Sequence, residues 1–215
     1  MFEIIEEPDY GGALSRTMVY VAVSGEPHDD SNNLSEKGKQ QVFELARSRL
    51  IAAPSKVYSD SSNPCRYSAE IIAKELFTGS SRKDCLSEVN LGTKHPDEGF
   101  LKSELTKMWQ DLSYTPKSGE SLINSQERVS KCISDIVRTH PESSISIVLS
   151  PIVASLFYRL VVGGKPTIED WLYSSFASCT TYEYSKNGWS LVMPPESSFL
   201  SEPSTVIDTL PEGVF

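Results

Sequence analysis

The run M-V-Y-V-A-V-S-G-E-P at residues 18–27 constrains the fold more than any other stretch of the chain. Its apolar, β-favouring part, residues 19–23, ends abruptly at the letters S-G-E-P. A hydrophobic run of this length that closes on Gly and Pro is typical of a buried strand leading into a loop. Residues 145–150, followed by Pro151, repeat the pattern. If the two strands are neighbours, their carboxyl ends meet at one edge of the sheet, where ligands bind in open α/β folds.

Strand and helix patterns alternate along the rest of the chain. Strands are predicted at residues 19–23, 56–59 and 145–149, and helices at 34–50, 66–77, 101–112, 121–139, 152–161 and 167–176. Residues 86–91 are predicted to be strand-like or irregular. Asn187-Gly188 separates the runs 179–184 and 189–193, which is a strong hairpin signal. This order predicts an α/β fold, a three-layer αβα sandwich around a central, mainly parallel sheet.

Length and charge exclude several classes of protein. At 215 residues and 23.8 kDa, the chain can bury well over half of its unfolded surface, so its fold does not require a disulfide or a metal for stability. Its net charge of -9 and pI near 4.9 argue against a general nucleic-acid binder and against docking on anionic membranes. No apolar run approaches the roughly 20 residues that a membrane span needs.

Cysteine usage and the N-terminus indicate the compartment. The four cysteines are widely spaced, and none forms a C-x-x-C pair, so a zinc or thioredoxin-type site is not expected. We expect free, mostly buried thiols in a reducing compartment. The first residues are acidic where a signal peptide would be basic, which predicts a cytoplasmic or nuclear protein. No cofactor and no metal is predicted; the acidic group Glu26, Asp29 and Asp30 fits no recognised cation loop.

Several segments together resemble the histidine phosphatase superfamily, in its phosphoglycerate-mutase-like branch. V-Y-V-A-V-S-G-E-P is similar to that family's strand ending in R-H-G-E-T, and L-S-E-K-G-K-Q-Q to its L-T-x-x-G-x-x-Q helix start. V-Y-S-D-S-S-N-P-C-R-Y-S-A-E is similar to V-x-S-S-x-x-x-R-A-x-x-T-A-E, and I-S-I-V-L-S-P-I-V to V-L-V-V-S-H-G-G-V. L-S-E-V-N-L-G, S-G-E-S with Arg128, and the closing hairpin match further pieces. The resemblance covers residues 19–193.

The resemblance implies a phosphoryl-transfer site whose key side chains are replaced here. The nucleophilic histidine falls on Ser24 and its arginine neighbour on Val23. The second arginine falls on Pro64 and the second histidine on Pro151, so that only the general acid remains, at Glu88. Hydrogen bonds to a charged phosphate contribute about 1.5–3 kcal/mol each, so losing four such groups removes on the order of 6–12 kcal/mol, ignoring non-additivity.

A few residues near the motifs could replace the lost catalytic groups. Ser24 would need an adjacent base to act as a nucleophile. Arg66 lies two residues beyond the expected arginine, a shift that turns it far round a helix. His28 follows the pocket loop and could serve as a base, whereas His95 and His140 are expected at the surface. Glu120 and Arg128 are explained by capping and surface pairing.

The sequence therefore predicts a histidine-phosphatase-like domain at residues 18–193, with an N-terminal arm at 1–17 and an extended or flexible C-terminal extension at 194–215. We expect a pseudophosphatase that acts in protein–protein interaction or complex assembly; enzyme activity is left open but not favoured. The expected partners are proteins, with a second copy of the chain as one option, and neither nucleic acid nor membrane. Two alternatives remain: a weakly active phosphatase or mutase that uses displaced residues, and a pocket that binds a non-phosphate small molecule.

Overall fold

The computed structural model describes residues 16–28, 33–93 and 98–210, and these form an α/β domain around one sheet. The six strands are β1 (Thr17–Val23), β2 (Val57–Ser59), β3 (Ser80–Arg82), β4 (Ser144–Leu149), β5 (Cys179–Ser185) and β6 (Gly188–Glu196). Their order across the sheet is β3-β2-β4-β1-β5-β6. The first four strands of that order pair in parallel, and β5 and β6 add an antiparallel hairpin at one edge.

Helices cover both faces of the sheet, which confirms the predicted sandwich. They are α1 (Glu36–Arg47), α2 (Asn63–Glu75), α3 (Glu98–Gln110), α4 (Leu122–Arg138), α5 (Pro151–Val162) and α6 (Ile168–Leu172). Successive residues of a strand point to opposite faces, and β1 follows this rule. Its Tyr20 and Ala22 pack with α1 and α2, whereas Val19 and Val21 pack with α4 and α5.

Local signals fixed several helix boundaries. Ser35 caps α1 by accepting a hydrogen bond from the Gly38 N–H, and Ser121 caps α4 by accepting one from the Asn124 N–H. These hydroxyls satisfy backbone donors that the first helical turn leaves unpaired. Pro151 occupies the first turn of α5, where a missing N–H costs nothing.

The structure corrects three secondary-structure predictions. α2 begins at Asn63 rather than Arg66, and the short polar strand β3 was not predicted. The predicted helix 167–176 ends at Leu172, because the following backbone pairs with the C-terminal segment instead: Ser175 bridges Thr205, and the Phe176 N–H donates to the Ser204 carbonyl.

Of the two alternatives for the C-terminal extension, extended or flexible, the flexible one is wrong for residues 194–210. β6 continues to Glu196, and Leu200 and Val206 beyond it are 7% and 5% exposed. Two apolar side chains thus anchor a segment whose Ser, Pro and Glu content indicated flexibility. The division of the chain into arm, domain and extension stays a prediction, and residues 1–15 and 211–215 lie outside the described part.

The prediction of four free thiols is also wrong for two of them. Cys85 and Cys132 form a disulfide between the 3-10 turn Asp84–Leu86 and α4. The two cysteines are 47 residues apart in sequence, and packing brings their Cα atoms to 5.8 Å. Cys65 and Cys179 are free and buried, as predicted.

Candidate functional site

The carboxyl ends of β1 and β4 lie side by side, as the sequence predicts. Val23 is paired with Leu149 in the parallel ladder, and the Ser24 N–H donates to the Leu149 carbonyl at 2.9 Å. Ser24 and Pro151 therefore lie at the same edge of the sheet. β2 pairs with β4 on the other side, so its end also reaches this edge. We refer to this place as the strand-end site.

Ser24 begins a loop that is pressed tightly against α1. Ser24 is 3% exposed, and its carbonyl accepts the Ala177 N–H at 3.0 Å. A Cβ atom on Gly25 would lie 2.4 Å from the Gly38 carbonyl oxygen, closer than real Cβ contacts come. Glycine is thus required here for close backbone approach. Gly25 and Gly38 are the glycines of the two family motifs quoted above, and this close contact explains why both positions are glycine.

The end of β2 contributes a buried carboxylate that sequence reasoning missed. Asp60 is 2% exposed, and its Oδ1 accepts hydrogen bonds from the Ser62 N–H at 3.1 Å and the Ser62 hydroxyl at 2.7 Å. An acidic residue directly after a strand that feeds the shared edge was the available signal. Pro64 lies in the first turn of α2. Proline is favoured there, and its side chain donates no hydrogen bond.

Arg66 is held along α2. Its Nη2 donates to Asn63 Oδ1 at 2.9 Å, its Nη1 donates to Glu70 Oε1 at 3.2 Å, and its guanidinium lies 4.1 Å from the Tyr67 ring centroid. Arg66 is the candidate substitute for the expected arginine of the second motif, and its guanidinium is already engaged in these contacts along α2.

Glu88 lies in the loop after the 3-10 turn and faces the same edge. Burial raises the pKa of its carboxyl to about 7, and the nearby Asp60 charge adds to this. The Ser150 hydroxyl and the Val89 N–H, which donates to Oε1 at 3.0 Å, act in the opposite direction. The residue as a whole keeps an exposed surface, so water also reaches it.

Ser150 caps the strand-end site from the β4 side. It is 8% exposed, and its hydroxyl makes no hydrogen bond of standard geometry with the described residues, although it lies near enough to influence Glu88. A buried hydroxyl without a full partner costs free energy unless a ligand or water completes it. Ser150 therefore offers a hydrogen-bonding position at this edge.

Arg128 holds the Glu88 loop on α4 rather than reaching into the site. Its Nη1 donates to the carbonyls of Cys85 at 2.9 Å and Ser87 at 3.0 Å. Its Nε and Nη2 contact both carboxylate oxygens of Glu120, at 3.1 and 2.5 Å. Glu120 in turn accepts the Asn90 N–H at 3.0 Å. The pair thus has the pairing role expected from sequence and also positions the loop.

The remaining candidates that the structure describes are engaged in other contacts. Glu26 binds Lys37, Ser35 and Ser204. His28 is exposed, and its backbone N–H donates to the Asn33 carbonyl at 2.7 Å. His140 contacts the Tyr58 hydroxyl at 2.7 Å. Asp29, Asp30 and His95 lie outside the described residues. Within the described ranges, no group of three or more His, Cys, Asp or Glu side chains is arranged to hold a metal.

The arrangement as a whole is hydroxyl-rich and acidic. Ser24, Ser150, Asp60 and Glu88 lie at the strand ends. Arg66 is bound along α2, whereas Arg128, which binds Glu120 and the loop carbonyls, is near enough for its charge to lower the pKa of Glu88. Such a site can accept and donate hydrogen bonds. Near neutral pH the Glu88 carboxyl can also exchange a proton. Assigning Val23, Ser24, Pro64, Glu88 and Pro151 to former catalytic positions stays a prediction.

Solved structures share this fold. Bacillus stearothermophilus YhfR is 19% identical, with 86% of this chain and 100% of that chain covered and a TM-score of 0.74. A phosphoglycerate mutase from Bacillus anthracis is 15% identical, with 87% and 96% covered and a TM-score of 0.70. A mycobacterial glucosyl-3-phosphoglycerate phosphatase in complex with VO3 is 14% identical, with 82% and 98% covered and a TM-score of 0.67. At these identities the likeness establishes the fold alone.

Sequence comparison adds the family. No curated protein sequence matches the chain. Among the described residues, none of the helices combines the length and apolar character needed to cross a bilayer. The model of the histidine phosphatase superfamily (branch 1) matches residues 24–195, which is well over half of the 215 residues. The chain therefore belongs to the histidine phosphatase superfamily, branch 1.

Proposed function

We propose that this chain is a pseudophosphatase, a member of its family that no longer transfers phosphoryl groups and acts as a protein-binding or assembly domain. The observation that carries the proposal is the charge of the strand-end site. Serines at the ends of β1 and β4 lie beside the carboxylates of Asp60 and Glu88. A phosphate dianion needs cationic or N–H donors, and carboxylates repel it.

A turnover assay tests the loss of phosphoryl transfer. Purified protein is incubated with p-nitrophenyl phosphate, with heat-denatured protein and the variants Ser24→Ala and Glu88→Gln as controls. We expect release of p-nitrophenol at the level of the denatured control. Turnover clearly above that level and abolished by either variant would overturn the proposal.

Anion binding gives a second, independent measurement. Binding to the native state raises the melting temperature, so phosphate or vanadate at about 10 mM should leave it unchanged if the site cannot hold a phosphoryl group. A rise that saturates with phosphate, and that is lost in Ser24→Asp, would contradict the proposal.

The competing hypothesis is a phosphatase or mutase that uses displaced groups. One observation favours it: a carboxyl whose pKa is raised to about 7 suits a general acid near neutral pH. The same assay separates the two, because this hypothesis requires turnover that depends on Glu88.

The protein-binding half of the proposal has its own support. Leu160 and Val162 near the end of α5 are 44% and 38% exposed, and Val192 on β6 is 54% exposed. α5 packs on β6, and exposed apolar groups on adjoining elements are typical of interaction surfaces.

Affinity purification from the source cell tests this half. The native chain is compared with the double variant Leu160→Lys, Val192→Lys, after both have shown the same melting temperature. A partner retained by the native chain and lost by the variant supports the proposal. Sedimentation of the native chain alone reports whether the partner is a second copy.

A further inference from the structure

A cavity lies next to the strand-end site. It has a volume of about 270 Å³ and is bordered by Val23 of β1, by α5, by the segment that follows α6, and by the end of β6. Val23 belongs to both places, since it is the last residue of β1 and precedes Ser24. The other side chains discussed for the strand-end site do not line the cavity.

Most of the residues that line this cavity carry a hydroxyl group. They come from α5, from the segment after α6 and from the end of β6, and include Ser155, Tyr158, Tyr173, Ser174, Ser178 and Ser197. Among the described residues that line it there is no lysine, arginine or histidine. A hydroxyl both donates and accepts, so this lining matches ligands that do the same.

The single carboxylate in the lining is already neutralised. Asp170 accepts from Arg159 Nε at 2.8 Å and Arg159 Nη2 at 2.5 Å, and its Oδ2 also accepts the Thr167 N–H at 2.9 Å. The Arg159 bonds are charge-assisted, and the guanidinium balances the charge of the carboxylate. Asp170 can therefore accept a ligand hydroxyl without bringing an unbalanced charge.

Two tyrosine rings complete the cavity. Tyr173 is 65% exposed, and Tyr158 is half-buried on α5. Their faces offer apolar surface beside the hydroxyls, and an amphipathic ring can bury area while its own hydroxyl still bonds. A ligand for this cavity has polar groups around an apolar ring or chain.

We propose that this cavity binds a neutral polyhydroxy compound of the size of a monosaccharide or an inositol. Anionic ligands are disfavoured because the lining that the structure describes contains no cationic side chain. Apolar ligands are disfavoured because they would displace water from hydroxyls without replacing its hydrogen bonds. The inference goes beyond the proposed function and does not depend on loss of phosphoryl transfer, because it rests on other residues.

Saturation-transfer NMR with defined probes tests the inference. Glucose, mannose, ribose and myo-inositol are each added at about 50 mM, the range in which small, weakly bound ligands become visible, and are compared with glucose 6-phosphate. We expect transfer to at least one neutral compound and weaker transfer to the phosphate ester. No transfer to any of the four neutral probes, or stronger binding of the ester, overturns the inference.

Variants at the rim locate the binding. Ser174→Ala with Ser197→Ala removes two hydroxyls, and Tyr173→Ala removes the exposed ring; all three residues are at least partly exposed, so the fold should persist. Each variant should weaken binding by about tenfold, whereas Ser198→Ala, an exposed serine that does not line the cavity, should not change it. Unchanged binding in the folded rim variants overturns the inference. Phosphatase turnover in the separate assay would overturn the proposed function and leave this result intact.

Discussion

The Ser204 hydroxyl donates a 2.6 Å hydrogen bond to the Glu26 carboxylate, and this bond joins the C-terminal segment to the loop that follows β1. Gln41 reinforces the link, since its Nε2 donates to the Ser204 hydroxyl at 2.9 Å and to the Glu202 carbonyl at 3.0 Å. Lys37 adds an ion pair to Glu26 at 3.1 Å. The loop at the strand-end site is therefore supported from residues almost 180 positions away.

Removing this link should destabilise the protein. Ser204 is 4% exposed, and Ser204→Ala leaves the partly buried Glu26 carboxylate with one fewer donor, so we expect a loss of about 1–3 kcal/mol in the free energy of unfolding. Urea unfolding measures it, with the exposed Ser198→Ala as the matched control, which should stay within about 0.5 kcal/mol. Equal stability of the two variants would show that the link contributes nothing.

The same bond should depend on pH. Burial alone would raise the pKa of Glu26, but the hydrogen bonds from Ser204, Lys37 and Ser35 outweigh it and lower the pKa below its ordinary value. Stability from this group is thus present above the unfolded-state pKa and is lost as pH falls through the folded-state pKa. The cost of Ser204→Ala should shrink between pH 7 and about pH 3, measured by urea unfolding at both. A cost that stays constant would contradict this role for Glu26.

Arg128 should matter far more than its exposed neighbour on the same helix. Arg128→Ala removes the guanidinium that binds Glu120 and the loop carbonyls, and we expect a loss of about 2–4 kcal/mol. Arg138, whose side chain is 64% exposed and pairs with Asp135, should cost less than about 0.5 kcal/mol when changed to Ala. Arg128→Lys keeps the charge without the fork and should fall between them. Chemical unfolding of the three variants provides the comparison.

Glu88 should make stability fall with rising pH. Its folded-state pKa of about 7 lies above the ordinary value, so the folded form binds the proton more tightly than the unfolded form. The resulting stability is fully present below the unfolded-state pKa and is lost as pH rises to about 7. The side chain in Glu88→Gln stays neutral at every pH. The melting temperature of the variant should therefore rise relative to that of the native protein between about pH 5 and pH 8. The exposed Glu127→Gln serves as control, and parallel curves for Glu88→Gln and the native protein would refute the role of this carboxyl.

The disulfide predicts a thiol count and a stability effect. Unfolded, unreduced protein should show two reactive thiols, Cys65 and Cys179, and four after reduction. Because the bond closes a long loop, the variant Cys85→Ser with Cys132→Ser should lose about 2–4 kcal/mol. Thiol titration and urea unfolding measure the two effects; four thiols before reduction would show that the bond is absent from the purified protein.

Several features of the fold followed from short stretches of sequence. The apolar run of β1, the cap Ser35 and the Asn187-Gly188 turn each predicted their element, because these preferences act between residues that are close in the chain. The absence of a charged side chain at positions 24 and 151 was likewise visible from the sequence alone. Their adjacency required only the parallel pairing of β1 with β4, which the alternation of strands and helices indicated.

Only the tertiary structure decided which distant side chains meet. Ser204 with Glu26, Cys85 with Cys132, and Arg128 with the loop before Glu88 are contacts across many intervening residues, and nothing in local sequence specifies them. The order of residues 194–210 also depends on packing, because Leu200 and Val206 are anchored by neighbours that the linear chain does not place beside them. Local preference sets the elements, whereas burial and hydrogen bonding between remote segments set the site.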